Sequence, residues 1–374
     1  MSAAEEPMIG TRFNVARNGM NLVRLILAVS VLFHHSFPLL GLGEGPLILG
    51  DHIGGWAVVG FFCLSGYLIT ASRRSKNFGQ YLALRVARIY PAFLVCLVFT
   101  AFIFAPLAHL VQTGSLGREF WSTGTTPFGY IWHNIGLKMV VWDVAGGPHD
   151  VPYPGAWNGS LWSLYYEFLC YLIVGVVGFL ALTRTKAWGW PLVWALTVVF
   201  SVSLPVMAPY YGVGFDFEML AKLLPYFAAG GAVYALRNII GMNLWIAVGG
   251  GLGFVIAAWL LPGVGGQIAS PLLVYVLMYV SHVMPSPEWI RTNDVSYGMY
   301  IYAFQAQQLV AVLGGAALGY WGFSLASLAL TIPLAVASWF VIEGPIIRRT
   351  RASTGGTATT RAPAARPQPT QALT

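Results

Sequence analysis

The sequence predicts an all-α, polytopic integral membrane protein with about ten transmembrane helices. Composition is the first indication, because 57% of the 374 residues are hydrophobic and only 9% are charged, whereas soluble domains carry about 25% charged residues. The second is the presence of apolar stretches of about 20 residues, the length that crosses a bilayer. These stretches, numbered helix 1 to helix 10 in this order, fall near residues 22–41, 54–71, 88–108, 161–182, 188–207, 217–236, 243–262, 267–285, 296–314 and 321–343.

The distribution of basic residues predicts the orientation of these helices. An even number of helices places both termini on one side of the membrane, and Lys and Arg collect in cytosolic loops. With ten helices, all but three of the 20 Lys and Arg residues fall on the side of the termini, the exceptions being Arg118, Lys138 and Lys222. We therefore expect a multi-pass protein of the inner (plasma) membrane with both termini in the cytosol. The net charge of +7 then reflects orientation, and we expect no nucleic-acid partner.

The chain is predicted to form one domain followed by a short tail. Residues 1–349 make up the ten-helix membrane domain, and residues 350–374 form a cytosolic tail whose Thr, Ala, Pro and Gly content predicts disorder. The longest connection, residues 109–160, is expected outside the membrane and is rich in Trp and Tyr. Such rings stack on sugars, but they also populate every membrane interface, so this connection alone assigns no function.

The three cysteines argue against a disulfide framework or a metal site. Cys63, Cys96 and Cys170 lie inside apolar runs and lack the paired spacing of metal ligands. We expect no metal and no permanently bound cofactor.

Helix 1 carries the clearest chemical signal, because ionisable residues inside a membrane span are costly and are candidates for function. Arg24 stands eleven residues before His35, and eleven helical residues return to within about 20° of the starting direction while rising about 16 Å. Arg24 and His35 are therefore predicted to share a helix face, with His34 rotated roughly 80° away. The alternative is that the two histidines only form hydrogen bonds within a polar seam.

His35 suits acyl transfer because an imidazole can take a proton from a hydroxyl and return it. A histidine surrounded by lipid is neutral, which is the form that a general base requires. Glu167 lies about six residues into helix 4, at a depth that matches that of His35. Glu167 is therefore predicted to pair with His35 and orient it, and the alternative is an ion pair between Glu167 and another buried group.

Two further motifs are candidates for binding the acyl donor. Ser65 and Gly66 are small residues in helix 2, where they allow close approach of an acyl chain or of another helix. Arg85 and Arg88 are three residues apart and present adjacent guanidinium groups, which can bind the phosphates of a cytosolic acyl-CoA. The alternative for both arginines is that they only orient the protein in the membrane.

Six short motifs, in the same order along the chain, resemble those of the acyltransferase 3 family. They are Arg24 with ten residues before His35, Phe61-Phe62 followed by Ser65-Gly66, Arg85-x-x-Arg88-Ile-Tyr-Pro91, Leu161-Trp162-Ser163 leading to Glu167, Ser296-Tyr297-Gly298-x-Tyr300, and Glu343-x-Pro345. Helix 9 departs from the family pattern in Tyr302-Ala-Phe304-Gln305, where a histidine is common.

The resemblance implies that His35 is the catalytic histidine, that Arg24 is its companion, and that Arg85 and Arg88 belong to the donor site. It implies a membrane-bound O-acyltransferase that moves an acyl group, most commonly acetyl, onto a hydroxyl of a sugar or surface polysaccharide. Expected partners are acyl-CoA (acetyl-CoA), a carbohydrate or glycoconjugate acceptor and the lipid bilayer. Some relatives carry a soluble hydrolase-like domain at the C-terminus that this chain lacks, so we expect it to act alone or to pass its acyl group to a partner protein.

Two functions of other classes compete with this interpretation. Intramembrane His, Arg and Glu also build the proton relays of secondary transporters. Such transporters usually consist of two related halves with interrupted helices, and the sequence shows no internal duplication. A non-catalytic scaffold for polysaccharide assembly is the third alternative, and it leaves His35 unexplained.

Overall fold

Helices make up most of the chain in the computed structural model, which describes residues 9–15, 17–212 and 214–354. The first half contains α1 (Met20–Leu39), α2 (Ile53–Ser75), α3 (Phe78–Phe99), α4 (Ala105–Thr113), α5 (Arg118–Ser122), α6 (Pro127–Asn134) and α7 (Trp162–Val177). A short antiparallel hairpin of β1 (Leu47–Ile48) and β2 (Asp51–His52) precedes α2. The second half contains α8 (Ala181–Thr185), α9 (Gly189–Tyr211), α10 (Phe215–Leu236), α11 (Leu244–Leu260), α12 (Gly265–Ile268), α13 (Ser270–Val283), α14 (Glu288–Thr292), α15 (Ser296–Val312), α16 (Gly319–Ala337) and α17 (Gly344–Ser353).

The prediction of a helical, multi-pass membrane protein is confirmed, but the count of ten membrane crossings is not. A helix occupies each predicted apolar segment, yet six spans are long and apolar enough to cross a bilayer within the described part of the chain. These are Met20–Leu39, Ile53–Ser75, Phe78–Thr113, Gly189–Met207, Phe215–Leu236 and Gly315–Ser353. Three shorter apolar helices, α7, α11 and α13, fall below that length.

Helix α15 occupies the predicted apolar stretch at residues 296–314 but is not among the six spans. Its residues from Ser296 to Ala311 are all buried, so neighbouring helices surround it on every side. It can therefore carry amides whose hydrogen bonds are made inside the protein. Gln307 donates to the carbonyl of Leu32 at 2.9 Å, and Gln308 donates to that of Ala156 at 2.8 Å.

Wider and tighter helical turns join some of these helices into longer spans. A π-helical turn at Thr100–Phe104 connects α3 to α4, and a second at Ser338–Glu343 connects α16 to α17. A 3₁₀ turn at Gly315–Leu318 precedes α16. Because α17 ends at Ser353, the first residues assigned to the tail are helical, and the prediction of disorder for residues 355–374 lies outside the described residues.

The connection predicted at residues 109–160 packs onto the helices instead of projecting from them. The side chains of Tyr130 and Trp157 are fully buried. Asn158 donates to the hydroxyls of Tyr130 at 2.5 Å and of Thr100 at 3.1 Å. Trp132, in contrast, is 73% exposed. The buried aromatic residues make this connection part of the fold.

Gly66 lets α2 and α10 approach each other at backbone distance. A Cβ atom at Gly66 would lie 1.9 Å from the carbonyl oxygen of Phe227. The facing glycine, Gly230, would place a Cβ atom 2.4 Å from the backbone nitrogen of Tyr67. Of the two alternatives for Gly66, the structure therefore favours close helix packing over contact with an acyl chain.

Gly66→Ala is expected to destabilise the protein. The added methyl group meets backbone atoms that cannot turn away, and overpacking of this kind costs about 1–3 kcal/mol. The unfolding temperature of the purified protein in detergent should fall clearly. Gly249→Ala is the matched control, because a Cβ atom at that helical position meets nothing within 4 Å. Equal unfolding temperatures for the two variants would contradict the packing role.

Candidate active site

His35 lines a cavity of about 220 Å³, which we call the histidine cavity. Its polar lining consists of His34, His35, Asp51, His52 and Lys222. These residues come from α1, from the β-hairpin and from α10, so the cavity assembles from segments that are distant in sequence.

Three imidazole rings stand side by side in the histidine cavity. The ring centroid of His34 lies 5.5 Å from that of His35 and 5.3 Å from that of His52. The edge of Phe304 packs against His35 with a centroid distance of 5.1 Å. Gly54 makes room for this row, since a Cβ atom there would lie 2.3 Å from Cδ2 of His34. The predicted neighbourhood of His34 and His35 thus includes a third histidine.

The side chains of these three histidines have no hydrogen-bond partner among the described residues. The Nδ1 atoms of His34, His35 and His52 are all buried without a partner. Such atoms are rare in folded proteins, and they mark side chains with a role in catalysis or in binding.

An ion pair links the hairpin to α10 at the same cavity. Lys222 donates to Oδ2 of Asp51 at 2.9 Å, and the two side chains are 46% and 21% exposed. No role for Asp51, His52 or Lys222 was predicted from the sequence. The available signal was that Lys222 is one of three basic residues predicted on the side opposite the termini.

Glu167 lines a second, smaller cavity of about 30 Å³, which we call the glutamate cavity. Its Oε1 atom accepts hydrogen bonds from Ser65 at 2.8 Å and from Tyr171 at 2.6 Å. The predicted hydrogen bond between Glu167 and His35 is not formed within the described residues. The sequence predicted only that the two side chains lie at similar depths in the membrane. In the structure, Glu167 on α7 and His35 on α1 line different cavities. Arg24 also lines the glutamate cavity.

The two cavities adjoin, because Val58 and Tyr300 line both of them. The hydroxyl of Tyr300 donates to the carbonyl oxygen of Ser160 at 2.6 Å and lies 2.6 Å from the hydroxyl of Ser163. Since a tyrosine hydroxyl carries one hydrogen, Ser163 is the donor in the second bond. Two hydrogen bonds therefore hold the Tyr300 side chain between the cavities.

Arg24 belongs to an ionic network that the sequence did not reveal. It pairs with Asp294, which also accepts a hydrogen bond from Arg88 at 2.6 Å. The other arm of Arg88 donates to Glu343 at 3.0 Å. Ser296 donates to Asp294 at 2.5 Å. Two arginines and two carboxylates thus balance in charge within the protein.

Arg85 and Arg88, predicted to act as a pair, have different surroundings. Arg88 binds two carboxylates, whereas Arg85 has no carboxylate partner among the described residues, and its Nε atom is buried without a hydrogen bond. The guanidinium of Arg85 lies 6.0 Å from the ring centroid of Tyr171, and Arg351 is a charged neighbour. Of the two arginines, Arg85 is therefore the one whose charge no carboxylate balances among the described residues.

Ser65 and Gly66 contribute to the site indirectly. Ser65 donates a hydrogen bond to Glu167, and Gly66 contacts the backbone of α10. Neither residue lines the histidine cavity or the glutamate cavity. Within residues 9–15, 17–212 and 214–354, no group of three or more His, Cys, Asp or Glu side chains is arranged to hold a metal ion.

Comparison with known proteins identifies the family. The model of the acyltransferase 3 family, described as an acyltransferase domain, matches residues 17–340. An O-acetyl transferase of Shigella phage Sf6 is 29% identical over 89% of this chain and 96% of its own length. Nodulation protein 10 of Rhizobium leguminosarum bv. viciae is 25% identical over 89% of this chain and 94% of its own length. No solved structure is significantly similar to the chain. The chain belongs to the acyltransferase 3 family and is an acyltransferase.

Proposed function

We propose that the protein is an O-acyltransferase of the inner (plasma) membrane that moves an acetyl group from cytosolic acetyl-CoA to a hydroxyl of a sugar or surface polysaccharide. The observation that carries this proposal is His35, whose Nδ1 atom is buried without a hydrogen-bond partner among the described residues and whose side chain lines the histidine cavity. The similarity to a relative named O-acetyl transferase supports acetyl as the acyl group. Membership of an acyltransferase family removes the reason to prefer a transporter.

The proposed reaction uses His35 as a general base. The imidazole takes the proton of the acceptor hydroxyl while the hydroxyl oxygen attacks the thioester carbonyl. The new C–O bond forms, the C–S bond breaks, and the histidinium returns the proton to the departing thiolate. A histidine that carries the acyl group between donor and acceptor is the alternative pathway with the same net balance.

The positions of the cavities support transfer between opposite sides of the membrane. Arg24 lies near the beginning of α1 and lines the glutamate cavity, whereas His35 lies near its end and lines the histidine cavity. Under the predicted orientation, the donor reaches the glutamate cavity from the cytosol and the acceptor reaches His35 from outside. Glu167 and Arg24 then lie on the donor side, and the thioester carbonyl reaches the acceptor hydroxyl at His35 past Val58 and Tyr300, which line both cavities.

We further propose that Arg85 binds donor phosphate with Arg88 beside it. A buried guanidinium without a carboxylate favours an anionic ligand, and its fork matches a phosphate bidentately. Arg88 is already bound by Asp294 and Glu343, so it contributes mainly by holding α3 in place.

Arg85→Lys is expected to weaken acyl-CoA binding about tenfold or more, because one charge-assisted contact contributes about 1.5–3 kcal/mol. Lysine keeps the charge that sets membrane orientation and loses the planar fork. Calorimetry with acetyl-CoA and purified protein measures the change, after a reporter fused to the C-terminus has verified topology. Arg74→Lys, at an exposed position at the end of α2, is the control. If the acetyl-CoA affinity of Arg85→Lys stays within about twofold of the wild-type value, Arg85 only orients the protein in the membrane.

The reaction itself is tested by comparing surface glycans of a deletion strain with those of the wild type by mass spectrometry. Loss of an acetyl mass from a defined sugar supports the proposed reaction and identifies the acceptor. Identical glycans, in cells where wild-type protein is present in the membrane, would contradict the proposal.

A further inference from the structure

The histidine cavity holds more hydrogen-bonding atoms than its own side chains can satisfy. His34, His35 and His52 stand side by side, and the Nδ1 atom of each is buried without a partner among the described residues. A neutral imidazole offers one donor and one acceptor. Since Nδ1 can be the donor or the acceptor, depending on the tautomer, a hydroxyl group, which both donates and accepts, can satisfy each of these three atoms.

The charge of the cavity argues for an uncharged ligand. The charged side chains that line it are Asp51 on β2 and Lys222 on α10, which balance each other at 2.9 Å, and Glu44 is a further charged neighbour of His34. An anionic sugar would have to approach the Asp51 carboxylate, and a cationic one would have to approach Lys222. A pair of neighbouring hydroxyls suits both groups, because one donates to the carboxylate while the other accepts from the ammonium.

The remaining lining fits a sugar ring. Trp162 and Tyr300 place aromatic side chains in the wall, and aromatic faces pack on the apolar C–H surface of such rings. The volume of about 220 Å³ lies below the range of about 300–1,000 Å³ that holds drug-sized ligands. The cavity is therefore suited to a single ring, with the rest of the acceptor outside.

We infer that the histidine cavity binds an uncharged, hydroxyl-rich sugar ring of the acceptor, with Asp51, His52 and Lys222 as specificity-determining residues beside His35. This inference rests on the proposed function, and it names the acceptor class that the proposed function leaves open. Asp51 and Lys222 bind neighbouring hydroxyls of the ring. His34 and His52 bind further hydroxyls, which turns one hydroxyl toward His35.

The first test asks which sugars compete with the acceptor. Full-length protein in lipid nanodiscs transfers acetyl from acetyl-CoA to glycan isolated from the deletion strain. The competitors are the uncharged methyl glycosides of glucose, galactose and mannose, together with methyl glucuronide and methyl glucosaminide. We expect at least one uncharged glycoside to compete with the glycan but not with acetyl-CoA. This glycoside should compete more strongly than either methyl glucuronide or methyl glucosaminide. Stronger competition by a charged ring, or none by any uncharged one, would overturn the inference.

The second test separates acceptor binding from folding. Asp51→Asn and His52→Gln are expected to raise the acceptor KM about tenfold or more, since each loses a hydrogen bond to the ligand, while the affinity for acetyl-CoA stays at the wild-type value. Asp216→Asn is the matched control, because Asp216 forms a similar exposed pair with Lys138 away from the cavity. A merely structural role would lower donor binding and acceptor binding together.

The proposed function and the inference about the acceptor ring fail in different ways. If wild-type protein transfers no acetyl group from acetyl-CoA, the proposed function is wrong. If it does so, and the acceptor KM is unchanged in both Asp51→Asn and His52→Gln, the inference about the acceptor ring alone is wrong.

Discussion

His35→Ala is expected to abolish acyl transfer while the protein remains inserted and abundant. A positioned general base contributes about 10²–10⁴-fold to a rate. Nδ1 of His35 has no hydrogen-bond partner among the described residues, so no side chain bonded to it is in place to accept the proton instead. The measurement is the rate of acetyl transfer from labelled acetyl-CoA to isolated glycan by membranes that contain equal amounts of each variant.

Two other histidines serve as comparisons for this result. His34→Ala should be milder, because His34 lies beside His35 and not on the face that it shares with Arg24. His133→Ala changes a side chain that bonds to its own helix at Gly129 and lies outside both cavities, so it should match wild type. A His35→Ala rate near that of wild type would show that another group performs the proton transfer.

Asp294→Asn is expected to cause a larger loss of stability than Gly66→Ala. It leaves Arg24 without a carboxylate, although both side chains are only 14% exposed. Breaking a buried ion pair by removing one partner costs about 3–5 kcal/mol, because the remaining charge is uncompensated. The unfolding temperature in detergent should fall well below that of wild type, and less protein should reach the membrane.

Two further variants separate this effect from a general loss of surface charge. Glu288→Gln removes a carboxylate that is 76% exposed and 3.9 Å from Arg291, and exposed pairs of this kind contribute about 0–1 kcal/mol. Adding Arg24→Gln to Asp294→Asn should restore part of the lost stability, since the unpaired charge is then gone. If the double variant is as unstable as the sum of the two single variants, the ion pair is not what Asp294 contributes.

The sequence was sufficient for the helical class of the fold and for the positions of the ten long apolar segments, each of which contains a helix, because apolar length is a local property of the chain. It was insufficient for the number of membrane crossings. Helix α15 is buried on all sides and carries Gln305, Gln307 and Gln308, so its composition resembles neither a lipid-facing helix nor a loop. Only neighbouring helices reveal where those amides form their hydrogen bonds.

The candidate site was predictable where its residues share one helix and unpredictable where they do not. Periodicity placed Arg24 and His35 on one side of α1, and each lines one of two adjoining cavities. Depth alone could not give the direction of Glu167, which depends on how α7 is rotated against its neighbours. Asp51 and Lys222 meet only through the packing of the hairpin against α10, at a separation of 171 residues.

The pairing of Arg24 with Asp294 has a consequence for the order in which the chain assembles during its synthesis. The two residues are 270 positions apart, and at about 5–20 residues per second a ribosome needs on the order of 15–50 s to add that length. Throughout this interval α1 is complete while its arginine has no carboxylate, and an unpaired arginine within a bilayer is costly. The arginine must therefore stay with water or lipid headgroups at first. The ion pair that buries the Arg24 side chain forms only after Asp294 has left the ribosome.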